Sequence, residues 1–419
     1  MLALLTQLPP LRQQLPFDLI WLPSQAYLVG GAVRDAILGR RREYLDWDFV
    51  VPEKAVETAR AIAEHYQAGF VVLDKARQIA RVVFPQGTVD FALQEGLTLE
   101  QDLQRRDFTI NAIAYNLHQE RLIDPLNGVK DLKKGLLKMV SARNLADDPL
   151  RLLRAYRQAA QLQFAIDLTT RETIQDLARL IKGVAAERVQ SELNYLLSSP
   201  RGNQWLLAAW QDGLLKAWFP QVDLDTLNII CRIDLALATV KATLSVEERL
   251  VFAQALGKKG MATAKLASLV TRDSLQAEIQ LETLKYSRQE IRAVGSVLKG
   301  YVWSTQVSSL PSLREQYFFF LEVGKYLPIF VLFALANGSE QCFIFELLAK
   351  YLDPHSAVAH PRALISGNDL IQKLKLKPSP IIGKLLTEIQ VAYIEGKVAS
   401  VQEALIYGEF LMQNQASLF

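Results

Sequence analysis

The stretch YLVGGAVRDAILGRRREYLDWDFVV, Tyr27 to Val51, decides the fold. "AYLVGG" reads as a short strand ending on paired glycines, Gly30 and Gly31. "AVRDAILG" has the length of about two helical turns, with Gly39 where helices commonly stop. "LDWDFVV" alternates as a strand does and carries Asp46 and Asp48 two residues apart. Side chains at i and i+2 share one face of a strand, so these carboxylates project together. Packing needs neither of them. Side by side they repel, and an ion is their natural neutraliser. Oxygen-only ligands favour magnesium, held by one or two carboxylates together with substrate phosphates. Asp90, in the later strand "GTVDFAL", is the candidate for a third carboxylate. The plain alternative for an isolated Asp-x-Asp is a solvated strand end or a turn.

The context before the aspartates favours the site. A glycine pair between strand and helix lets backbone approach a ligand, and the helix start offers N–H donors to a phosphate. Arg34 follows one turn in and adds a charged donor. The spacing is not that of a GxxxxGK[ST] phosphate loop.

The stretch sits in a chain of 419 residues, long enough for two to four domains. Half the residues are hydrophobic and 22% are charged, which describes a globular protein. A net charge of +3 says little about nucleic acid, so local clusters must carry that argument. Cys231 and Cys342 each lie in an apolar run and are expected as buried free thiols in a reducing compartment. The four histidines show no ligand spacing, against a zinc site. Met1–Leu5 is apolar but has no basic flank or cleavage signal, so no signal peptide is expected. The longest apolar run, Tyr326–Ala336, is about half of what a membrane span needs and reads as a buried helix. A soluble, cytoplasmic protein without a membrane partner is the expectation.

Up to about residue 140, strands and helices mix, with "VETARAIAEHY" an amphipathic helix between strands. After Asp147 the spacing turns helical in "DDPLRLLRAYRQAAQL", "RETIQDLARLI" and "AAERVQSELNYLL". Prolines 200, 220, 311 and 354 mark breaks within this helical part.

Taken together, GGxVRDxxLG followed by Asp-x-Asp resembles the signature of class II tRNA nucleotidyltransferases and bacterial poly(A) polymerases, within the polymerase-β-like superfamily. The resemblance implies an α+β fold. A polymerase-β-like nucleotidyltransferase head with a small mixed sheet (residues 1–140) would precede an all-helical neck (141–200), body (201–310) and RNA-binding tail (311–419). It implies that Asp46 and Asp48, with Asp90, bind catalytic magnesium, while Gly30, Gly31 and Arg34 help hold the nucleotide.

Further motifs test the resemblance. "RRDFTINAIAYN", Arg105–Asn116, matches the second family motif. It offers Arg106 to a triphosphate, and Asp107 and Asn111 to a sugar hydroxyl, a contact by which a site prefers ribonucleotides. "DPLNGVKDLKKGLLKMV" resembles the third, and no catalytic role falls to its lysines. "DDPLRLLRAYR" resembles the Glu-Asp-x-x-Arg motif, with Asp147 where the family has glutamate. The resemblance implies that Asp148 and Arg151 read the base edge and that Arg154 and Arg157 line the nucleotide site. Cytosine and adenine both set an amino donor beside a ring-nitrogen acceptor, which a carboxylate and a guanidinium complement. The local alternative is Asp148 as helix N-cap before Pro149. Arg151 to Arg157 also drifts about 120° around a helix, so the three arginines cannot point identically. "AERVQSELNYLL" resembles the last neck motif, with Glu187, Arg188 and Glu192 read as mainly structural. In the tail, Lys373, Lys375, Lys377 and Lys384 are candidates for an RNA backbone or simply a solvated face.

Full CCA-adding members carry a flexible loop between the third carboxylate and the Arg-Arg-Asp motif. Here only "LQEGLTLEQ" separates "VDFA" from Asp102. Members that add only CC resemble this chain in lacking that loop. The expectation is C addition from CTP to the tRNA 3′ end, gripped at acceptor stem and T arm, with a separate A-adding enzyme in the same cell. Complete CCA addition, which would also use ATP, comes next, then A addition or poly(A) synthesis. A non-catalytic RNA- or nucleotide-binding protein is the alternative of another class.

Overall fold

A computed structural model describes residues 11–40, 44–307 and 311–413. Met1–Leu5, read above for a targeting signal, and the last residue before the 310/311 boundary lie outside that set. The chain divides into two compact units, Met1–Ala217 and Trp218–Phe419.

The first unit is built on strands β1 (Tyr27–Val29), β2 (Leu45–Val51), β3 (Gly69–Asp74), β4 (Ile79–Phe84), β5 (Gly87–Leu93), β6 (Ala114–Asn116) and β7 (Arg121–Ile123). They form one mixed sheet in the order β3-β4-β5-β2-β1-β6-β7. β2 and β5 run parallel, and the other neighbours are antiparallel. Helices α1 (Gly31–Ile37), α2 (Ala55–His65), α3 (Leu99–Gln104) and α4 (Gly128–Lys134) fill the connections. α2 follows β2 and packs on β4 and β5, burying Ala59, Ile62 and Ala63. On β2, Trp47, Phe49 and Val51 alternate into the core, with Phe49 stacked on Phe91 at 5.5 Å. The other face carries Val50 against Val29, Leu99 and Leu103. Asp46 and Asp48 extend that face into solvent.

Helices α5 (Ala142–Asp147), α6 (Leu150–Leu162), α7 (Leu168–Leu177), α8 (Ala186–Ser198) and α9 (Gly202–Gln211) follow. α6 packs on α8 and α9, so the helix after Pro200 joins the first unit. Behind α6, the Tyr156 hydroxyl donates to the buried Asp212 carboxylate. Arg171 grips the same carboxylate with two bonds of 2.7 and 3.1 Å, and Gln175 adds one of 2.6 Å. The neck is not purely helical: β9 (Ala165–Ile166) pairs in parallel with β8 (Leu136–Leu137). Gln163 in the left-handed region ends α6 and turns the chain back onto β8.

In the second unit every described regular element is a helix, from Leu224–Thr243 to Val401–Gln413. Leu327–Ala336 is its buried core, packed by Leu224–Thr243, Gly260–Leu269 and Arg288–Gln306. With the preceding helix it makes Leu313–Ala336, long and apolar enough to cross a membrane by length and composition alone. Gly324, at φ 49°, breaks that stretch, and its second half lies inside the protein as the apolar run predicts. The tail has its own core around Leu370, Leu385, Ile389 and Ala404.

Both cysteines are free, as expected, but exposed rather than buried. On Leu224–Thr243 the buried stripe runs through Leu227, Ile230 and Ile233, and Cys231 falls beside it. Cys342 lies in the first turn of Gln341–Leu352, whose buried side begins at Ile344.

Candidate active site

The strand register gathers the acids. Asp48 pairs with Asp90 across β2 and β5, and Asp46 with Thr88. The Thr88 hydroxyl donates to Asp46 Oδ1 at 3.2 Å. Crowding among protein atoms, then Asp90 and Asp46, push the Asp48 carboxyl up to about 6, while Arg106 and Arg81 pull it down. Asp90 is differently placed. Arg81 donates to both its oxygens, at 2.7 and 2.8 Å. The Pro85–Gln86 turn sets Arg81 opposite Asp90 in the β4–β5 hairpin.

This donor set suits a hard divalent cation: oxygens only, with negative charge in excess. Among the described residues, no group of three or more acidic, histidine or cysteine side chains holds a metal unaided. Two carboxylates completed by substrate phosphates is an ordinary arrangement for such an ion, so the residues fit.

Gly30 takes φ 73° and ψ −135°, a region that favours glycine. A Cβ there would stand 3.4 Å from Arg106 Nη1 and 3.7 Å from Asp48 Oδ2. The glycine therefore keeps an open path between a cation and a carboxylate. Gly31 begins α1 and lines the same cleft. Arg106 Nη2 donates to Asp102 at 3.2 Å, while its buried Nε has no hydrogen-bond partner among the described residues.

Behind the cleft runs a compensated network. Arg34 donates to Asp35 at 2.8 Å and to Asn111 Oδ1 at 2.7 Å. Asn111 Nδ2 donates to Asp107 at 2.9 Å and to Gln158 at 3.0 Å. Asp107 faces Arg154 at 3.5 Å. Burial alone would raise the Asp107 carboxyl, but Arg154, Asn111 and the Phe108 N–H hold it below the usual carboxylate range. Arg154 and Arg157 both donate to Glu192, Arg154 at 3.1 Å. Glu192 thereby ties α6 to α8. Asp107 and Asn111, expected at a sugar hydroxyl, are buried and already bonded here.

Arg151, Arg154 and Arg157 all reach the cleft, but with different supports. Arg151 Nη1 is held by the carbonyls of Arg105 and Asn144 at 3.0 and 2.9 Å, and its buried Nε makes no hydrogen bond among the described residues. Asp148 is not the N-cap of α6. Pro149 takes that position, and Asp148 closes α5. Its carboxylate is drawn instead to Arg188, which donates at 2.9 Å. Burial would raise this carboxyl, and Arg188, Arg151 and Arg154 outweigh it and hold it low. Asp147 is exposed, with Arg143 at 3.7 Å.

The cleft has a volume of about 540 Å³ and brings Gly30, Gly31, Arg34, Asp46, Asp48, Arg106, Asp107, Asn111, Arg151, Arg154 and Arg157 together. Asp90 lies beside it through Asp48. A second cavity of about 880 Å³ holds Asp148 and shares Arg151 and Arg105 with the first. Sequence reasoning missed Arg81, Asp102 and Gln158. Asp102 was signalled by its spacing of four from Arg106 on a helical turn, and Gln158 by its spacing of four from Arg154 on α6. The Gln94–Thr98 connection, expected to be short, is also tied down. Gln94 N–H donates to Val51 O at 2.8 Å, Glu95 N–H to Asp102 at 3.0 Å and Leu97 N–H to Gln101 at 2.7 Å. Lys373, Lys375, Lys377 and Lys384 lie in the second unit, exposed around the turn between Gly367–Lys373 and Pro380–Ile394.

Residues 26–138 match the family model of the poly A polymerase head domain, and residues 256–407 match tRNA nucleotidyltransferase domain 2. A protein of Synechocystis sp. named CC-adding tRNA nucleotidyltransferase is 64% identical over 98% of this chain and 99% of its own. The chain belongs to the tRNA nucleotidyltransferase family. A second CC-adding tRNA nucleotidyltransferase, of Geobacter sulfurreducens, is 32% identical over 91% of each chain. A solved CCA-adding enzyme in complex with CTP has the same fold, with a TM-score of 0.70 at 22% identity, covering 99% of this chain and 98% of that one. Membership makes the protein a nucleotidyltransferase whose head is followed by helical regions.

Proposed function

We propose that this nucleotidyltransferase adds C residues from CTP to the tRNA 3′ end and stops after CC. The observation that carries the reading is the short, hydrogen-bonded Gln94–Thr98 connection beside the nucleotide cleft. Five residues held at both ends leave no lever with which to reshape the cleft from C to A. The names of the two relatives support the same subclass.

In the reaction the 3′-hydroxyl oxygen bonds to the α-phosphorus of CTP. The bond from that phosphorus to the bridging oxygen breaks, pyrophosphate leaves, and the hydroxyl proton is lost. Asp46 and Asp48, with Asp90 beside them, would hold magnesium, which supplies charge neutralisation at the transferring phosphoryl group. Arg106 and Arg34 hold the triphosphate over the opening that Gly30 leaves. The buried Asp107–Asn111–Gln158 network fixes the floor on which the ribose rests. Arg151 donates to the ring nitrogen of cytosine and Asp148 accepts from its amino group. Most of the catalysis on this scheme is positioning and charge compensation.

Residues up to about 140 act as the head and those from there to Gln211 as the base-reading neck; the helices from Leu224 to Leu352 act as the body, and those from Gly367 to Gln413, with their own core, as the tail. The exposed tail lysines contact the phosphates of the acceptor stem and T arm, in the cytoplasm where an A-adding enzyme completes the end.

A tRNA transcript ending at the discriminator base, incubated with magnesium and CTP, ATP or both, tests the reading at single-nucleotide resolution. Two added C residues, with no A even when ATP is present, is the expected result. A single further A would make this a complete CCA enzyme and sink the subclass.

A further inference from the structure

The geometry points to Gln158 as the residue that selects a ribonucleotide, its side-chain amide donating to the 2′-hydroxyl oxygen of the incoming CTP; the inference rests on the nucleotide lying in the cleft as in the proposed reaction. Asp107 and Asn111, the residues expected at the sugar, have no donor left for it. Asn111 Oδ1 accepts from Arg34 at 2.7 Å. Both hydrogens of its Nδ2 are used, one on Asp107 at 2.9 Å and one on Gln158 Oε1 at 3.0 Å. Asp107 can only accept, and does so from Asn111 and from the Phe108 N–H at 2.8 Å.

The orientation of both amides follows from their neighbours. A guanidinium can only donate and a carboxylate can only accept. With Arg34 on one side and Asp107 on the other, Asn111 has one way round, its oxygen towards Arg34. Its second N–H then needs an acceptor, so Gln158 must present Oε1 and turn its NH2 group away from the network. Gln158 is only 5% exposed, yet it lines the cleft, and its Nε2 makes no hydrogen bond among the described residues. A buried amide donor calls for an acceptor, and the cleft is where a ligand brings one. Seven residues separate Gln158 from Arg151, so the two lie on nearly one line of α6, about 10 Å apart along its axis. Through Asn111, Gln158 also adjoins Arg34 on the triphosphate side. The spare donor thus stands between the base-reading group and the phosphate-holding group, where the sugar of a nucleotide comes. A deoxynucleotide puts a C–H there and leaves the donor unpaired.

The test titrates CTP and 2′-deoxy-CTP into the full chain, wild type and Gln158→Met, and measures kcat/KM for each nucleotide on a tRNA transcript. Wild type should prefer CTP, and Gln158→Met should narrow that preference about tenfold by weakening CTP and leaving 2′-deoxy-CTP where it was. Equal weakening of both nucleotides would mean that Gln158 only shapes the cleft, and an unchanged preference that it does not meet the sugar; either overturns the inference. A second measurement needs no stable Gln158→Met protein. In wild type labelled with 15N-glutamine, the Gln158 side-chain signals are assigned by their loss in Gln158→Glu, which keeps an oxygen for Asn111. CTP should shift them and 2′-deoxy-CTP should not, and equal shifts, or none, overturn the inference. A wild type that binds no CTP breaks the proposed function and this inference with it. A wild type that adds C from CTP while Gln158→Met keeps the full preference breaks this inference alone.

Discussion

The two sides of the cleft handle charge in opposite ways. On the β2 side, Asp46 and Asp48 share a strand face and Asp48 is lifted to about 6 by its surroundings and its acidic neighbours. On the α6 side, Asp107 and Glu192 are each matched by arginine. The difference separates what a protein builds for itself from what it leaves for a ligand to complete. Balanced charge makes a rigid wall. Unbalanced charge makes a place that binds.

The sharpest way to break this comparison is to remove one carboxylate from each side. Asp48→Asn should lower nucleotide transfer about a thousandfold or more, as loss of a cation-holding group in phosphoryl transfer does. The same change relieves repulsion, so the thermal midpoint of the free protein should hold or rise. A Asp48→Asn protein that both transfers at wild-type rate and melts lower would show that the strand side is not frustrated. Glu192→Ala should do the reverse. It strands Arg154 and Arg157, and denaturant unfolding should show a loss of about 2–3 kcal/mol, discounted because both arginines keep some solvent. Next in size is Gly30→Ala. The methyl would enter the gap between Arg106 and Asp48 at a backbone angle that disfavours it. Nucleotide affinity, measured by titration of the free protein, should fall about tenfold.

The smallest expected effect is on pH. Asp48 is raised when folded, so its contribution favours the folded state at low pH and is lost as pH rises through about 6. Asp107 and Asp148 are lowered, so their contributions persist at neutral pH and vanish only as pH falls below the ordinary carboxylate range. Between about pH 7 and pH 5, wild type should therefore gain stability relative to Asp48→Asn, by no more than about 1 kcal/mol because solvent reaches this carboxylate. An equal pH slope in the two proteins would remove Asp48 as the source.

The strand side was the more legible in sequence. Asp46, Asp48 and the glycine pair declare themselves within one short stretch, because strand period and glycine punctuation are local. The helical side was read by type and not by partner. Glu192 meets Arg154 and Arg157 from another helix, and Arg188 meets Asp148 across 40 positions of chain. Spacing along one element carries no trace of such meetings. Asp148 before Pro149 has the pattern of an N-cap, yet Pro149 takes that position and an arginine from α8 holds the Asp148 carboxylate. The exposed cysteines fail for a related reason. Apolar composition tells that a helix is buried somewhere, and the side that faces in depends on its neighbours.

The hairpin between β4 and β5 turns on two residues, Pro85 and Gln86, and so sets Arg81 against Asp90. Its length acts as a reading frame for everything downstream on β5. Many residues would serve at those two places, but adding or deleting one would move every β4 partner by a step. Arg81 would then face Val89 or Phe91, and Asp90 would lose its cation. Over evolutionary time this turn should accept exchange of letters and refuse changes of number, although neither Pro85 nor Gln86 lines the cleft.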